Sequence, residues 1–148
     1  MARKKTDCQN IMADIVDACC NTLHRNTAVK GARNLCRYFG GGMYYIPVKK
    51  KDGRTIKEMH NILCETVGEK NANIIINKTM ALYGGLQIYI PFERTAFEAE
   101  IAEEIYRRYT DEGTGMFEMF RDYNISFNRA YQLWKKGRRI KLNKEMKK

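Results

Sequence analysis

The chain has 148 residues, of which 44% are hydrophobic and 30% are charged. That length suits one ordinary domain or two very small ones, and the composition suits a soluble globular protein with a modest core. No apolar run approaches the length that a membrane span needs, and polar and charged residues interrupt the segment after the basic start "MARKK". We therefore expect a cytoplasmic protein with no secretory signal and no membrane partner.

The charge balance indicates an anionic partner. Lysine and arginine number 27 against 17 aspartate and glutamate, which gives a formal net charge of +10. The last stretch, "KKGRRIKLNKEMKK", holds eight basic residues and Glu145 as its one acidic residue. Such a block attracts a polyanion, and nucleic acid is the usual one. Taken alone, the stretch is equally compatible with a solvated tail that aids solubility.

The chain begins with the pattern of two helices and a strand. The first apolar residues with helical spacing are Ile11, Met12, Ile15, Cys19 and Leu23. A second helix is predicted from Thr27 to about Phe39. The glycines of "GGGMYYIP" end it, because glycine readily adopts the left-handed conformation that closes a helix. The rest of that phrase predicts a short strand that stops at Pro47.

The same pattern then occurs a second time. Helical spacing recurs at Ile56, Met59, Leu63 and Val67, and "NANIIINKTMALY" predicts a helix up to the glycines of "GGLQIYIP". Pro47 and Pro91 are 44 residues apart, and this offset keeps the apolar positions in phase upstream without a gap. The sequence thus predicts a duplicated helix–helix–strand unit, residues 10–48 and 55–91. The alternative is that two similar pairs of amphipathic helices arose by chance. The "GG…YIP" pattern shared by both segments argues against it.

Two copies of this unit can form a core where one cannot. A pair of helices with a single short strand cannot bury its apolar face alone. We therefore predict a mainly α fold in which residues 1–91 form a helical bundle with a small two-stranded antiparallel sheet. Residues 92–140 are expected to form a C-terminal helix-turn-helix DNA-binding domain, and residues 141–148 a basic tail.

A helix-turn-helix is predicted near the C-terminus. It follows a helix whose apolar stripe is Phe97, Ile101, Ile105 and Tyr109. Asn124 stands where the turn needs a residue that tolerates the left-handed region, and Ser126 can cap the second helix. Ala130 and Leu133 then face inward, and Ala130 is small enough to let the helices cross closely. Packed helical hairpins often imitate this pattern, but the neighbouring basic stretch favours DNA binding.

The second helix of this motif supplies the candidate DNA contacts. The residues predicted on its leading face are Phe127, Asn128, Tyr131, Gln132 and Lys135. Recognition helices contact base edges from such positions, and Asn and Gln can pair bidentately with adenine. The residues suited to phosphate contacts are Ser126, Arg129 and Lys136, together with Arg138, Arg139 and Lys141 of the basic stretch.

The order "GGLQIYIP", acidic helix, "YNISFNRAYQLWKKGRR" resembles the Mor/C family of transcription activators from Mu-like phages, over roughly residues 55–140. The resemblance implies a non-enzymatic transcription activator that binds double-stranded DNA and recruits RNA polymerase. It also implies a location in the cytoplasm of a bacterial host cell, in association with the nucleoid. It implies a recognition helix in the major groove. It also implies minor-groove contacts from the strand, here Gln87 and Tyr89. Met43 replaces the counterpart of Gln87 in the first copy.

The first copy sets this chain apart from that family. Family members are dimers in which two chains build a shared dimerisation domain and each chain adds one helix-turn-helix. Our hypothesis is that residues 10–48 replace the partner subunit, so that one chain folds a pseudo-dimeric core. The alternative is that two chains still form a homodimer and that the first copy is an addition outside the dimer core.

Other function classes have less support in the sequence. A DNA-binding repressor or accessory protein of a mobile element would use the same surface without activation. Enzyme chemistry is not expected, because His24 and His60 lack a nucleophile-and-base arrangement and the glycine runs lack the Lys-Ser/Thr of a P-loop. The acidic residues that could hold a metal, Glu98, Glu103 and Glu104, are better explained as a solvated helix face. We expect no cofactor, no metal and no small-molecule ligand.

Overall fold

The architecture is that of a computed structural model, which describes residues 11–49 and 53–147. The predicted first residue of the first copy, residue 10, and the last residue of the basic tail, residue 148, lie outside the described residues. The chain divides into two compact units, Met1–Ala96 and Phe97–Lys148. We call them the core unit and the C-terminal unit, and each is described by itself.

The core unit contains helices with a small sheet. Its elements in chain order are α1 (Ile11–Cys19), α2 (Arg25–Phe39), β1 (Gly42–Tyr45), α3 (Arg54–Val67), α4 (Glu69–Tyr83), β2 (Gln87–Ile90) and the short α5 (Glu93–Ala96). The two strands pair antiparallel in one sheet. The predicted fold class, mainly α with a two-stranded antiparallel sheet, is confirmed. Helix α5 covers the first residues of the acidic helix that the sequence predicts before the helix-turn-helix, and the structure interrupts that helix at Phe97.

Glycine makes the turn from helix to strand in both places. Gly40 and Gly84 end α2 and α4, and each donates its backbone N–H to a carbonyl in the last turn of its helix. The next residues, Gly41 and Gly85, have φ of +88° and +85°. A side chain is rarely tolerated in that region, so the paired glycines allow the abrupt change of direction.

The core lies among the four long helices and under the sheet. The fully buried large side chains there are Met12, Ile15, Val16, Ile46, Ile56, Met59, Leu63, Ile75, Ile76 and Ile90. They come from both predicted copies. Those on helices follow an apolar period of 3.6 residues, whereas Ile46 follows β1 and Ile90 lies in β2. Removal of this much apolar surface from water is the main term that stabilises the unit.

The C-terminal unit packs three helices, α6 (Glu98–Thr110), α7 (Met116–Tyr123) and α8 (Phe127–Met146). Its buried cluster consists of Ile101, Ala102, Ile105, Met119 and Leu133. Helices α6 and α8 approach closely at Gly137, where an added Cβ would collide with the backbone carbonyl of Ala102. Ile101 and Ile105 of the predicted apolar stripe are buried, whereas Tyr109 at its end is 45% exposed, with its ring 6.3 Å from that of Trp134 on α8.

Among the residues that the structure describes, no helix combines the length and the apolar character that a bilayer span requires.

Candidate nucleic-acid interface

The turn between α7 and α8 is built from three consecutive residues. Asn124 has φ 52° and ψ 53°, the left-handed conformation that the sequence predicts. The N–H of Ile125 donates to the carbonyl of Phe120 over 3.1 Å. Ser126 Oγ accepts a hydrogen bond from the N–H of Arg129 at 3.2 Å, so Ser126 caps α8 as predicted.

The first two turns of α8 present polar and aromatic side chains to solvent. Ala130 and Leu133 are buried on the inner side. The exposed side chains are those predicted for the leading face: Phe127, Asn128, Tyr131, Gln132 and Lys135. The amides of Asn128 and Gln132 are four residues apart and therefore lie on the same side of the helix, one turn from each other.

Arg129 and Lys136 have a partner that the sequence did not reveal. Arg129 Nη2 lies 2.6 Å from Glu98 Oε1, and Lys136 Nζ lies 3.1 Å from Glu98 Oε2. The hydrogen bonds from Arg129 and then Lys136 lower the pKa of Glu98 below its ordinary value. The sequence alone places Glu98 on a solvated acidic helix face. In the structure this carboxylate instead fixes α6 to α8 and partly neutralises two candidate phosphate contacts.

Aromatic rings hold other cations along α8. Lys135 Nζ lies 4.8 Å from the ring centre of Tyr131, and the guanidinium of Arg138 lies 5.9 Å from that of Trp134. The rings of Tyr131 and Trp134 are stacked at 6.2 Å. Such contacts restrict the position of a cation without neutralising it, so Lys135 and Arg138 stay available to an anion.

The basic stretch continues α8 instead of forming an irregular tail, since the helix runs to Met146. Lys141 Nζ lies 3.8 Å from Asp111 Oδ2, and Lys144 Nζ lies 2.5 Å from Glu103 Oε1. Within residues 11–49 and 53–147, Arg138 and Arg139 have no carboxylate partner. The uncompensated charge of this stretch is therefore concentrated near the middle of α8.

A second row of aromatic residues begins at the start of α8. The rings of Phe120 and Phe127 meet edge to face at 5.7 Å, and those of Phe117 and Phe120 at 5.8 Å. Phe117 is 83% exposed and Phe127 is 60% exposed. Phe117 was absent from the sequence-based site, although its spacing of three residues from Phe120 on one helix places the two on the same face.

The predicted strand contacts, Gln87 and Tyr89, lie in the core unit. Both side chains are exposed, whereas those of Ile88 and Ile90 are buried. In the antiparallel register Tyr89 lies opposite Met43, and Gln87 lies opposite Tyr45. Met43 and Tyr45 are exposed as well, because side chains alternate along a strand. The outer face of the sheet therefore carries two tyrosines, one glutamine and one methionine.

The two histidines are engaged in structural contacts. His24 caps α2, with Nδ1 accepting from the N–H of Asn26 at 3.3 Å. His60 Nε2 lies 2.7 Å from Asn73 Oδ1. In the described part of the chain, no group of three or more His, Cys, Asp or Glu side chains is placed to hold a metal ion.

A short helix, a left-handed turn and a capped basic helix with outward amides are together typical of transcription regulators. The Mor transcription activator family matches residues 53–148, which is most of the chain. The chain therefore belongs to the Mor transcription activator family, a family of transcription regulators. No match was found among curated proteins or among solved structures. The family match leaves α1, α2 and β1 outside it.

Proposed function

We propose that this chain is a sequence-specific DNA-binding transcription activator that places the N-terminal half of α8 in the major groove. The observation that carries the proposal is the solvent-facing row of Asn128, Tyr131, Gln132 and Lys135 on a helix capped by Ser126. Family membership supports it, because a transcription activator must be brought to particular promoters.

Base recognition is assigned to the amides and to Phe127. Asn128 and Gln132 each offer a donor and an acceptor that match the N6 and N7 edge of adenine. Phe127 adds an apolar surface suited to the methyl group of thymine. The sequence read by the first turns of α8 would accordingly be rich in A·T pairs.

Backbone contacts are assigned to the cations of α8 that have no carboxylate partner among the described residues. Lys135, Arg138 and Arg139 can neutralise phosphates without breaking an ion pair. Arg129, Lys136 and Lys141 would have to be shared with Glu98 or Asp111. Lys135, Arg138 and Arg139 therefore supply most of the salt-dependent affinity for DNA.

The sheet is proposed as a further DNA contact. Gln87 and Tyr89 would face the minor groove, where an amide can reach the acceptors of A·T pairs. Recruitment of RNA polymerase completes the proposed activity. A reporter gene behind the bound site separates an activator, which raises transcription, from a repressor or accessory protein, which does not.

The test is selection of DNA from a random pool, followed by binding measurements with Asn128→Ala and Gln132→Ala. We expect each change to weaken binding to the selected site by about 1–3 kcal/mol while affinity for random DNA changes little. Asn61→Ala is the matched control, since Asn61 is an exposed amide on α3 of the core unit. Equal loss on selected and random DNA would show that the two amides do not read bases.

A further inference from the structure

The two halves of the core unit have equivalent helices and strands at positions 44 residues apart. Helices α2 (Arg25–Phe39) and α4 (Glu69–Tyr83) have bounds that differ by 44 residues at both ends. The N–H of Gly41 donates to the carbonyl of Ile90 at 2.7 Å, and the N–H of Gly85 donates to the carbonyl of Ile46 at 2.7 Å. A shift of 44 residues converts each of these bonds into the other, with the two strands exchanged.

The strand register locates the axis of this internal symmetry. Tyr44 pairs with Ile88, and these residues are themselves 44 positions apart. A residue that pairs with its own equivalent must lie on a twofold axis. The pairs on either side of it, Gly42 with Ile90 and Ile46 with Leu86, are related by that axis. Cores of this symmetry are otherwise made by two copies of a chain across an isologous interface.

We propose that residues 11–49, the first half, supply within the same chain the partner that the second half, residues 53–91, requires. The active protein is then one chain with one DNA-reading unit, and it takes a single DNA site without inverted repeat symmetry. The part concerning DNA rests on the proposed function. The part concerning the core rests on the contacts between the two halves.

The first of these contacts joins a small residue to a large one near the axis. A Cβ built on Gly31 would lie 2.8 Å from Ile75 Cδ1 and 3.1 Å from Leu63 Cδ2. Gly31 and Ile75 are equivalent positions of the two halves, since they are 44 residues apart. Two second halves would bring isoleucine against isoleucine at this point, and two first halves would leave a gap. The observed pair combines one small and one large residue in the space available, which favours one half of each kind.

The second contact is a charge pair between arginines of α2, in the first half, and Glu93 of α5, which directly follows the second half. Glu93 Oε1 lies 2.8 Å from Arg33 Nε, and Glu93 Oε2 lies 2.7 Å from Arg37 Nε. The equivalents of Arg33 and Arg37 in the second half are Asn77 and Ala81, which carry no charge. A core made of two second halves would leave both copies of Glu93 without these arginines.

Both contacts therefore favour pairing of unlike halves, and one chain contains one half of each kind. The C-terminal unit occurs once in that chain. Recognition of two half-sites needs two reading helices held at a fixed spacing, whereas one reading helix matches one half-site. The expected DNA sequence is thus short and unpaired.

A disulfide test distinguishes the two modes of assembly. In a homodimer built from two second halves, Ile88 would meet Ile88 of the other copy on the axis, so Ile88→Cys would link two chains on oxidation. In the single-chain core, Ile88→Cys alone gives no such link. The double variant Tyr44→Cys, Ile88→Cys forms a bond within one chain, because opposite residues of paired strands are close enough for a disulfide. Mass spectrometry of the digested protein identifies which cysteines are joined.

The native chain provides a measurement that needs no variant. Sedimentation at micromolar concentration is expected to give the mass of one chain, and the complex with selected DNA one chain per duplex. A homodimer, a palindromic selected site or an interchain disulfide at position 88 of the Ile88→Cys variant would overturn the inference. Failure to select any DNA sequence would instead overturn the proposed function, while the mass of the free protein would still decide how the core assembles.

Discussion

Glu93 illustrates how a single side chain couples charge to stability in the core unit. Its side chain is 18% exposed, and that of Arg33 is 13% exposed. Burial alone would raise the pKa of Glu93, but the hydrogen bonds from Arg37 and Arg33 outweigh it, and the pKa lies below its ordinary value. The carboxylate therefore stabilises the folded state in its ionised form.

This shift predicts a pH-dependent effect of Glu93→Gln. The stabilisation is fully present above the unfolded pKa, about 4.3, and is lost as pH falls through the lower folded pKa. We expect Glu93→Gln to reduce the free energy of unfolding by about 2 kcal/mol at neutral pH. The difference from the native chain should shrink as pH falls below about 4. Urea titrations at several pH values measure it.

Glu58→Gln is the matched control for this prediction. Glu58 forms an ion pair with Arg54 at 3.4 Å, but that arginine side chain is 94% exposed. Exposed pairs of this kind contribute about 0–1 kcal/mol. A loss with Glu58→Gln as large as that with Glu93→Gln would contradict the importance assigned to the buried arginine contacts.

At the scale of single elements, the turn between α7 and α8 depends on the backbone of Asn124. The left-handed conformation costs a residue with a Cβ about 1–2 kcal/mol, which Asn bears better than most and glycine avoids. We expect Asn124→Ala to lower the stability of the C-terminal unit by about 1 kcal/mol. Asn124→Gly should be neutral or stabilising. Thermal unfolding followed by circular dichroism compares them, and equal losses would contradict a backbone role.

The cap at the start of α8 is a second element-scale feature. Ser126 Oγ satisfies the N–H of Arg129, one of the donors that a helix leaves free at its start. Replacement by alanine should cost about 1 kcal/mol. Ser126→Asp should retain the cap and the stability. It should nevertheless weaken DNA binding, because a carboxylate at the start of α8 would repel a phosphate, the group that the sequence predicts Ser126 to contact. A fluorescence anisotropy titration with DNA separates the two effects.

Some elements and contacts can be predicted from local sequence and others cannot. The helices of both halves, the strand alternation and the turn at Asn124 follow from local period and local conformational preference, and the sequence predicted them. The partners of Glu93 and Glu98 did not follow, since Arg33 is 60 residues from Glu93 and Arg129 is 31 residues from Glu98. Local patterns carry no information about which distant cation meets a carboxylate. For the same reason both glutamates have a role that the prediction missed.

For the whole molecule, the distribution of charge predicts how salt acts on DNA binding. The DNA-binding constant K falls as salt is added. Replacement of Arg138 and Arg139 by alanine should make the plot of log K against log salt less steep, by about 0.9 for each phosphate contact removed. Replacement of Lys141 and Lys144 by alanine should reduce the steepness less, because Asp111 and Glu103 already neutralise the charges of those lysines. Titrations at several salt concentrations measure the slopes. Equal slopes for the two double variants would contradict the assignment.

The pairing of β1 with β2 inside one chain has a consequence for dosage. A regulator that must first dimerise is diluted into inactive monomers at low abundance, and its occupancy of a promoter then rises with the square of its concentration. Strands joined by the same backbone cannot be separated by dilution. Under the single-chain proposal, the first few molecules made in a cell act without a dimerisation step, and promoter occupancy at low abundance grows in direct proportion to their number.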